Sequence, residues 1–411
     1  MKKIALYTFV GLLGLVLVGA AIFHKELRQL YHVLHLFDED RIVHNFTNME
    51  AIFPIVELRR DGEVRELSVH PHNLPETFIF DGTDRSLNGW IEETSTTALV
   101  VIKDESILFE EYFLGTTETD RRISWSVAKS FLSALFGIVV EKGYIPDLTV
   151  PASEYVPMLI GSGYEGITIK NLLNMSSGVY FNEDYMDFNS DINRFGRAIA
   201  VGQPFDAFAA SLQNDPNVEQ GTYLHYVSID THVLGMVIRA ATGRSIQELF
   251  EETLWAYAGF EDDAYFVADG IGEPMVLGGL NLRTRDYARF GMLMRDGGYF
   301  NGRQIVPVGW VKESITPDAP HLMPGTRDNA STWLGYGYQW WIPPKETDTI
   351  REFMAIGIYG QYIYINLDAN VVIAKNSADT QFALREENSD LLSLMAFRAI
   401  TESVVALSNA K

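Results

Sequence analysis

Ile123-Ser124-Trp125-Ser126-Val127-Ala128-Lys129-Ser130-Phe131-Leu132 is the stretch on which the reading of this chain turns. Ser126 and Lys129 stand three residues apart. On a helix that spacing puts both side chains on one face, about one turn apart. Behind them Phe131, Leu132, Leu135, Phe136, Val139 and Val140 recur at three- and four-residue steps before Gly143. The pattern predicts a helix over Ser124 to Lys142. A lysine held at the head of such a helix can accept a serine proton if desolvation lowers its pKa. The helix N-terminus also offers backbone N–H groups and a positive dipole end to a developing oxyanion. A surface serine beside a solvated lysine has the same spacing, so the apolar context is what distinguishes this pair.

Two further pieces follow in chain order. Tyr226-Val227-Ser228 lies just before a second predicted helix, Ser228 to Ala241, and a phenol there can relay a proton between lysine, serine and leaving group. Ala355-Ile356-Gly357-Ile358-Tyr359-Gly360-Gln361 precedes an alternating strand. Its glycines let the backbone approach an acyl group closely, and the Ile358 N–H can serve as an oxyanion donor beside that of Ser126. The adjacent His225 points away from Tyr226 if this segment is extended, which favours a structural role. Trp340 and Trp341 are expected to alternate between core and cleft wall. Asp184, Asp187 and Asp191 read as a solvated acidic loop.

The remaining pattern supplies the frame. Ala98 to Lys103 and Ser106 to Phe113 read as a hairpin about Asp104-Glu105, and Tyr362 to Asn366 and Val371 to Lys375 as another. Ser245-Ile246-Gln247-Glu248 is a capping box. Thr284 to Arg295 predicts a helix, Asn301-Gly302 a tight turn, and Leu391 to Ala406 a closing helix. Strands near both ends with helices between predict an α+β fold: one antiparallel sheet built from both chain ends, flanked by helices, with a mostly helical lobe inserted.

Ser-x-x-Lys, then Tyr-x-Ser, then a glycine-containing terminal strand resembles the serine β-lactamase and penicillin-binding-protein superfamily. Within it the chain is similar to class C β-lactamase-like hydrolases and, more narrowly, to the branch of 6-aminohexanoate-dimer hydrolases and esterases. Leu173-Asn174-Met175-Ser176-Ser177-Gly178, Asn182-Glu183-Asp184-Tyr185, Thr284-Arg285-Asp286-Tyr287-Ala288-Arg289 and Gly335-Tyr336-Gly337-Tyr338-Gln339-Trp340-Trp341 carry the likeness over residues 80 to 400. The resemblance implies a β-lactamase/transpeptidase-like fold with Ser126 as nucleophile, Lys129 as base and Tyr226 as proton shuttle. It also implies an oxyanion hole from the Ser126 and Ile358 amides. Tyr185, Ser228, Gly357 and Tyr359 would face substrate, with Tyr185 assisting a leaving amine. It implies no cofactor and no metal. Two departures bear on substrate. Ala355 stands where relatives carry a basic residue for a substrate carboxylate, and Tyr359 where the oligoamide branch often has histidine.

The expected function is therefore a serine hydrolase forming an acyl-enzyme with small esters or amides. A D-amino-acid peptidase or weak β-lactamase acting on cell-wall-type substrates stays open, as does a non-catalytic membrane-tethered binding module. Lysine plus arginine number 32 against 54 aspartates plus glutamates, a formal charge of −22, which excludes a nucleic-acid partner. A hydrophobic content of 47% excludes a disordered chain. The absence of cysteine excludes disulfides and thiol chemistry.

Ile4 to Phe23 is an apolar run after Lys2 and Lys3, long enough as a helix, at ~30 Å, to span a bilayer. It predicts a single-pass anchor in the cytoplasmic membrane, with the catalytic domain on the outer side. Gly19-Ala20-Ala21 leaves open a cleaved signal segment and a secreted product. The expected division is an anchor over 1–23, a juxtamembrane lead-in over 24–79 and the hydrolase domain over 80–411. Glu26 to Phe46 has helix-like spacing; His24 just before it and His32, His35 and His44 within it read as packing rather than metal ligands, and His70 and His72 as a loop with no evident third ligand.

Overall fold

The computed structural model describes Tyr7 and residues 24–345 and 351–408. Among these, eight strands form the main sheet: β1 (Ser68–Val69), β2 (Thr96–Lys103), β3 (Ser106–Tyr112), β4 (Gly335–Gly337), β5 (Trp340–Ile342), β6 (Glu352–Gly357), β7 (Gln361–Asn366) and β8 (Val371–Ser377). The spatial order is β4-β5-β6-β7-β8-β2-β3-β1. The late strand β8 pairs antiparallel with the early strand β2, Ile373 opposite Val101, so the sheet is closed from both ends of the chain as expected. The β1–β3 pairing at the edge is parallel; the others are antiparallel.

Alternation sorts the side chains of this sheet onto two covered faces. Val100, Ile102, Ile363, Ile365, Val372 and Ala374 join the large core under the helical lobe. Leu99, Val101, Tyr362, Tyr364, Val371 and Ile373 pack against Trp90 and the closing helix through Leu392, Phe397 and Ile400. Both faces are dry, which is why β2 reads as an unbroken apolar run. Helix Thr284–Arg295 lies directly on the sheet because Gly291 has no side chain; a Cβ there would fall 2.6 Å from Val372. The helical lobe is inserted between β3 and β4.

A second sheet, absent from the sequence expectation, joins Ile55–Leu58, Ala264–Val267, Leu280–Arg283 and Arg121–Ile123 in that order. It holds the segment just before Ser126: Tyr287 donates to the Arg122 carbonyl at 2.7 Å and Ser124 N–H to Leu280 O at 2.7 Å.

Two expectations need correction. No helix among the described residues is long and apolar enough to cross a membrane. The helix Ala128–Glu141 would rise only ~21 Å and is buried in the core. Ser389–Ser408 is longer but carries Asp390, Arg398 and Glu402. Among the described residues the fold is α+β with no helix able to cross a membrane, so the transmembrane helix, the single-pass location and the membrane partner are not supported; residues 4–6 and 8–23, on which they rested, lie outside the described residues. The stretch Glu26 to Phe46 is not one helix either: His24–Leu34 ends, and a short turn of helix, Ile42–Asn45, follows. Between them the His35 ring contacts Asp38 at 2.5 Å, and the Asp38 carbonyl accepts from the Arg41 and Ile42 amides.

Candidate active site

Ser126 sits in a single 3₁₀ turn, Trp125–Val127, that runs into α1 (Ala128–Glu141). Trp125 enters that turn in the left-handed backbone region, φ 43°, which few non-glycine residues occupy. Lys129 follows one turn later and is 2% exposed. Its Nζ donates to the Leu277 carbonyl at 2.6 Å and lies 2.9 Å from Ser126 Oγ. Burial lowers the Lys129 pKa from its ordinary 10.5 to about 7, with the Glu183 carboxylate opposing the shift. A substantial neutral fraction at neutral pH leaves a nitrogen lone pair to face the serine hydroxyl.

Tyr226 stands at the head of α2 (Ser228–Thr242). Its ring centroid lies 5.2 Å from Lys129 Nζ. Burial, then Glu183, push its phenol far above the usual value, although the Ser126 and Ser228 hydroxyls both act to lower it, so it rests protonated. Trp341 stacks on Tyr226 at 5.3 Å while Trp340 is fully buried against Phe290 and Phe353. The His225 ring is turned to the Phe181 carbonyl at 3.0 Å and takes no part in the cluster.

The loop at residues 182–185 brings a carboxylate that sequence reasoning did not single out. Glu183 Oε1 accepts from Tyr185 Oη at 2.6 Å and from Ser228 Oγ at 2.5 Å; Oε2 accepts from Ser228 N–H at 3.0 Å. Ser228, expected to face substrate, is thus 1% exposed and committed to Glu183. Asp191, expected in a solvated loop, is 7% exposed and accepts from Asn182 N–H at 2.9 Å.

On the opposite side the β6–β7 turn closes in. Gly357 lies so near the Ser126 turn that a Cβ would fall 2.5 Å from Ser124 O and 3.0 Å from Ser126 N. Ile358 follows, then Tyr359 at φ 59° and Gly360 at φ 81°. Ala355 is buried in β6, so no cation projects from that position. A cavity of about 440 Å³ opens beside Gly357 and Ile358, bounded by Tyr362, Phe382, Arg385 and Asp390; Ser126 is not among its lining residues. The structure thus brings Ser126, Lys129, Tyr226, Gly357, Glu183 and, through Glu183, Tyr185 and Ser228 into one cluster. Among the described residues, no group of three or more His, Asp or Glu side chains could hold a metal ion.

A two-ended antiparallel sheet, an inserted helical lobe, and a serine–lysine pair at the head of the lobe's central helix define a class of α+β hydrolases. The chain belongs to the family described as Beta-lactamase, which it matches over residues 88–394. It is 31% identical over 296 residues to the 6-aminohexanoate-dimer hydrolase of Paenarthrobacter ureafaciens, covering 70% of this chain and 74% of that protein. A solved structure from Bacillus anthracis, described as a candidate 6-aminohexanoate-dimer hydrolase, superposes with a TM-score of 0.78 at 24% identity, covering 89% of this chain and 95% of the other. A penicillin-binding protein from Bacillus halodurans shares the fold at TM-score 0.57 and 17% identity, over 78% of this chain and 99% of the other.

Proposed function

We propose that this hydrolase works through a covalent acyl-enzyme on Ser126 and cleaves small linear amides and esters. The observation that carries the reading is the buried Lys129 Nζ, 2.9 Å from Ser126 Oγ. In the proposed sequence the neutral Lys129 amine takes the hydroxyl proton as Oγ adds to the substrate carbonyl. The oxyanion is received by the Ser126 and Ile358 N–H groups. Tyr226, protonated at rest, passes its proton to the leaving nitrogen or oxygen and recovers one from the Lys129 ammonium. Water then adds to the acyl carbonyl by the same relay, releasing the acid and restoring Ser126.

Tyr185 supports the amide half of the substrate class. Its O–H is spent on Glu183, so only oxygen lone pairs remain to meet substrate, and an amide N–H can donate to them where an ester oxygen cannot. The relative from Paenarthrobacter, named for a 6-aminohexanoate dimer, points to the same class of bond. The missing cation at Ala355 disfavours substrates recognised through a carboxylate beside the scissile bond. The test is steady-state hydrolysis of p-nitrophenyl esters, short linear amides and a chromogenic cephalosporin by the wild type and Ser126→Ala. The reading expects ester and amide turnover that vanishes in the variant; turnover unchanged by the substitution would refute it.

A further inference from the structure

Trp125 and Tyr359 are both non-glycine residues in the left-handed region, and each is next to a proposed oxyanion donor: Trp125 precedes Ser126 and Tyr359 follows Ile358. Such backbone persists only where surroundings hold it. Part of what holds these two lies outside the matched residues 88–394. Phe46, fully buried, sets its ring edge against Trp125 at 5.4 Å and 67° and against Tyr359 at 5.3 Å and 76°. These are favourable edge-to-face contacts. Phe37 stacks on Tyr359 at 5.2 Å and 12°, and Phe382 meets it at 4.8 Å.

The backbone around Phe46 is registered on the nucleophile segment. Its carbonyl accepts from Ile123 N–H at 3.0 Å, and Arg122 donates to Val43 O at 2.7 Å and to Thr47 Oγ1 at 2.5 Å. Two rings of the N-terminal segment, Phe46 and Phe37, therefore touch both Trp125 and Tyr359; Phe37 is exposed and lies 5.9 Å from Trp125, whereas Phe46 is fully buried and closer to it.

We propose that Phe46 is a positioning residue: wedged between Trp125 and Tyr359, it fixes the separation of the Ser126 and Ile358 amides. This rests on the acyl-enzyme reading above. A positioning role predicts a loss in the transition state with ground-state binding unchanged.

The experiment compares Phe46→Ala, Phe46→Leu and Ile52→Ala in the full chain; Ile52 is buried in the same cluster but presents no ring to Trp125 or Tyr359. Tm, kcat, KM and the rate of Ser126 phosphonylation by a fluorophosphonate are measured for each. Phe46→Ala is expected to lower kcat and the phosphonylation rate ~10-fold or more, since losing one oxyanion donor outright costs about 10²–10³, with KM within about twofold. Phe46→Leu recovers part of the loss. Ile52→Ala is expected to lower Tm comparably and leave kcat near wild type. Equal kcat losses for Phe46→Ala and Ile52→Ala, or a change in KM alone, would overturn the proposal while leaving Ser126 as nucleophile. A wild type never labelled on Ser126 would instead remove the reading beneath it.

Discussion

Glu183 and Ser228 are joined twice: the carboxylate accepts the Ser228 hydroxyl at 2.5 Å and its backbone N–H at 3.0 Å. This double contact pins a negative charge at the head of helix Ser228–Thr242, where the dipole favours it. It also places that charge where it acts on both Lys129 and Tyr226.

The first consequence is a pH profile. As the proposed base, Lys129 would work only when neutral, so kcat/KM should rise through an apparent pKa of about 7 and level off above it. Glu183 holds that value up. Glu183→Gln keeps the shape, removes the charge and should move the rising limb to lower pH, measured as kcat/KM against pH on an ester. A limb that stays in place would show that Glu183 does not act on the base.

Tyr185→Phe removes the hydrogen-bond acceptor proposed for the leaving amide N–H. Amide kcat should fall by up to about 10-fold while ester kcat changes little, since one hydrogen bond is worth about 0.5–1.5 kcal/mol. Parallel assays on matched ester and amide substrates check this. Equal losses on both would make Tyr185 a packing residue.

Gly357→Ala would place a Cβ 2.5 Å from the Ser124 carbonyl. The strand end must then back away from Ser126, carrying Ile358 with it. The expected result is a ~10²-fold drop in kcat with KM little altered, the size of one lost oxyanion donor. Retained activity would argue that Ile358 N–H is not such a donor.

Lys375 offers a test of stability rather than catalysis. It is 1% exposed on β8, bonded to Ser377 and set over the Trp90 ring at 5.1 Å. Burial lowers its pKa from 10.5 to about 7. The unfolded chain therefore binds more protons between about pH 7 and 10.5, and this lysine's penalty shrinks as pH rises through that window. Lys375→Met should raise Tm at pH 7, by no more than a few kcal/mol in free energy. It should also flatten the rise in Tm toward pH 10. A lower Tm with an unchanged pH slope would show that the amine stabilises the fold through Ser377 and Trp90.

Local period made much of this legible in the sequence. The Ser126–Lys129 spacing, the two hairpins, the capping box at Ser245 and the helix Thr284–Arg295 are short-range patterns, and all appear where periodicity and turn residues placed them. Asn301-Gly302 likewise forms the turn between Tyr299–Phe300 and Arg303–Gln304. Glu183 left no such trace, since its partner Ser228 is 45 residues away and a carboxylate in a polar loop looks like any other. The Leu277 carbonyl that holds Lys129 is invisible for a simpler reason, because a backbone acceptor has no residue type. The second sheet escaped notice because Ile55–Leu58 is short and its partner Ala264–Val267 is distant. In the sequence Phe46 is only the last residue of a stretch with helix-like spacing, and only the fold shows which rings it packs against.

The central claim is that Ser126 becomes acylated with Lys129 as its base. Intact-mass measurement followed by peptide mapping, after exposure to a fluorophosphonate at pH 8, tests it most directly. The account predicts one adduct per chain on Ser126 in the wild type, none in Ser126→Ala, and labelling slowed by at least ~10²-fold in Lys129→Met. An adduct on another residue, or labelling of Ser126 at full speed without Lys129, would contradict it.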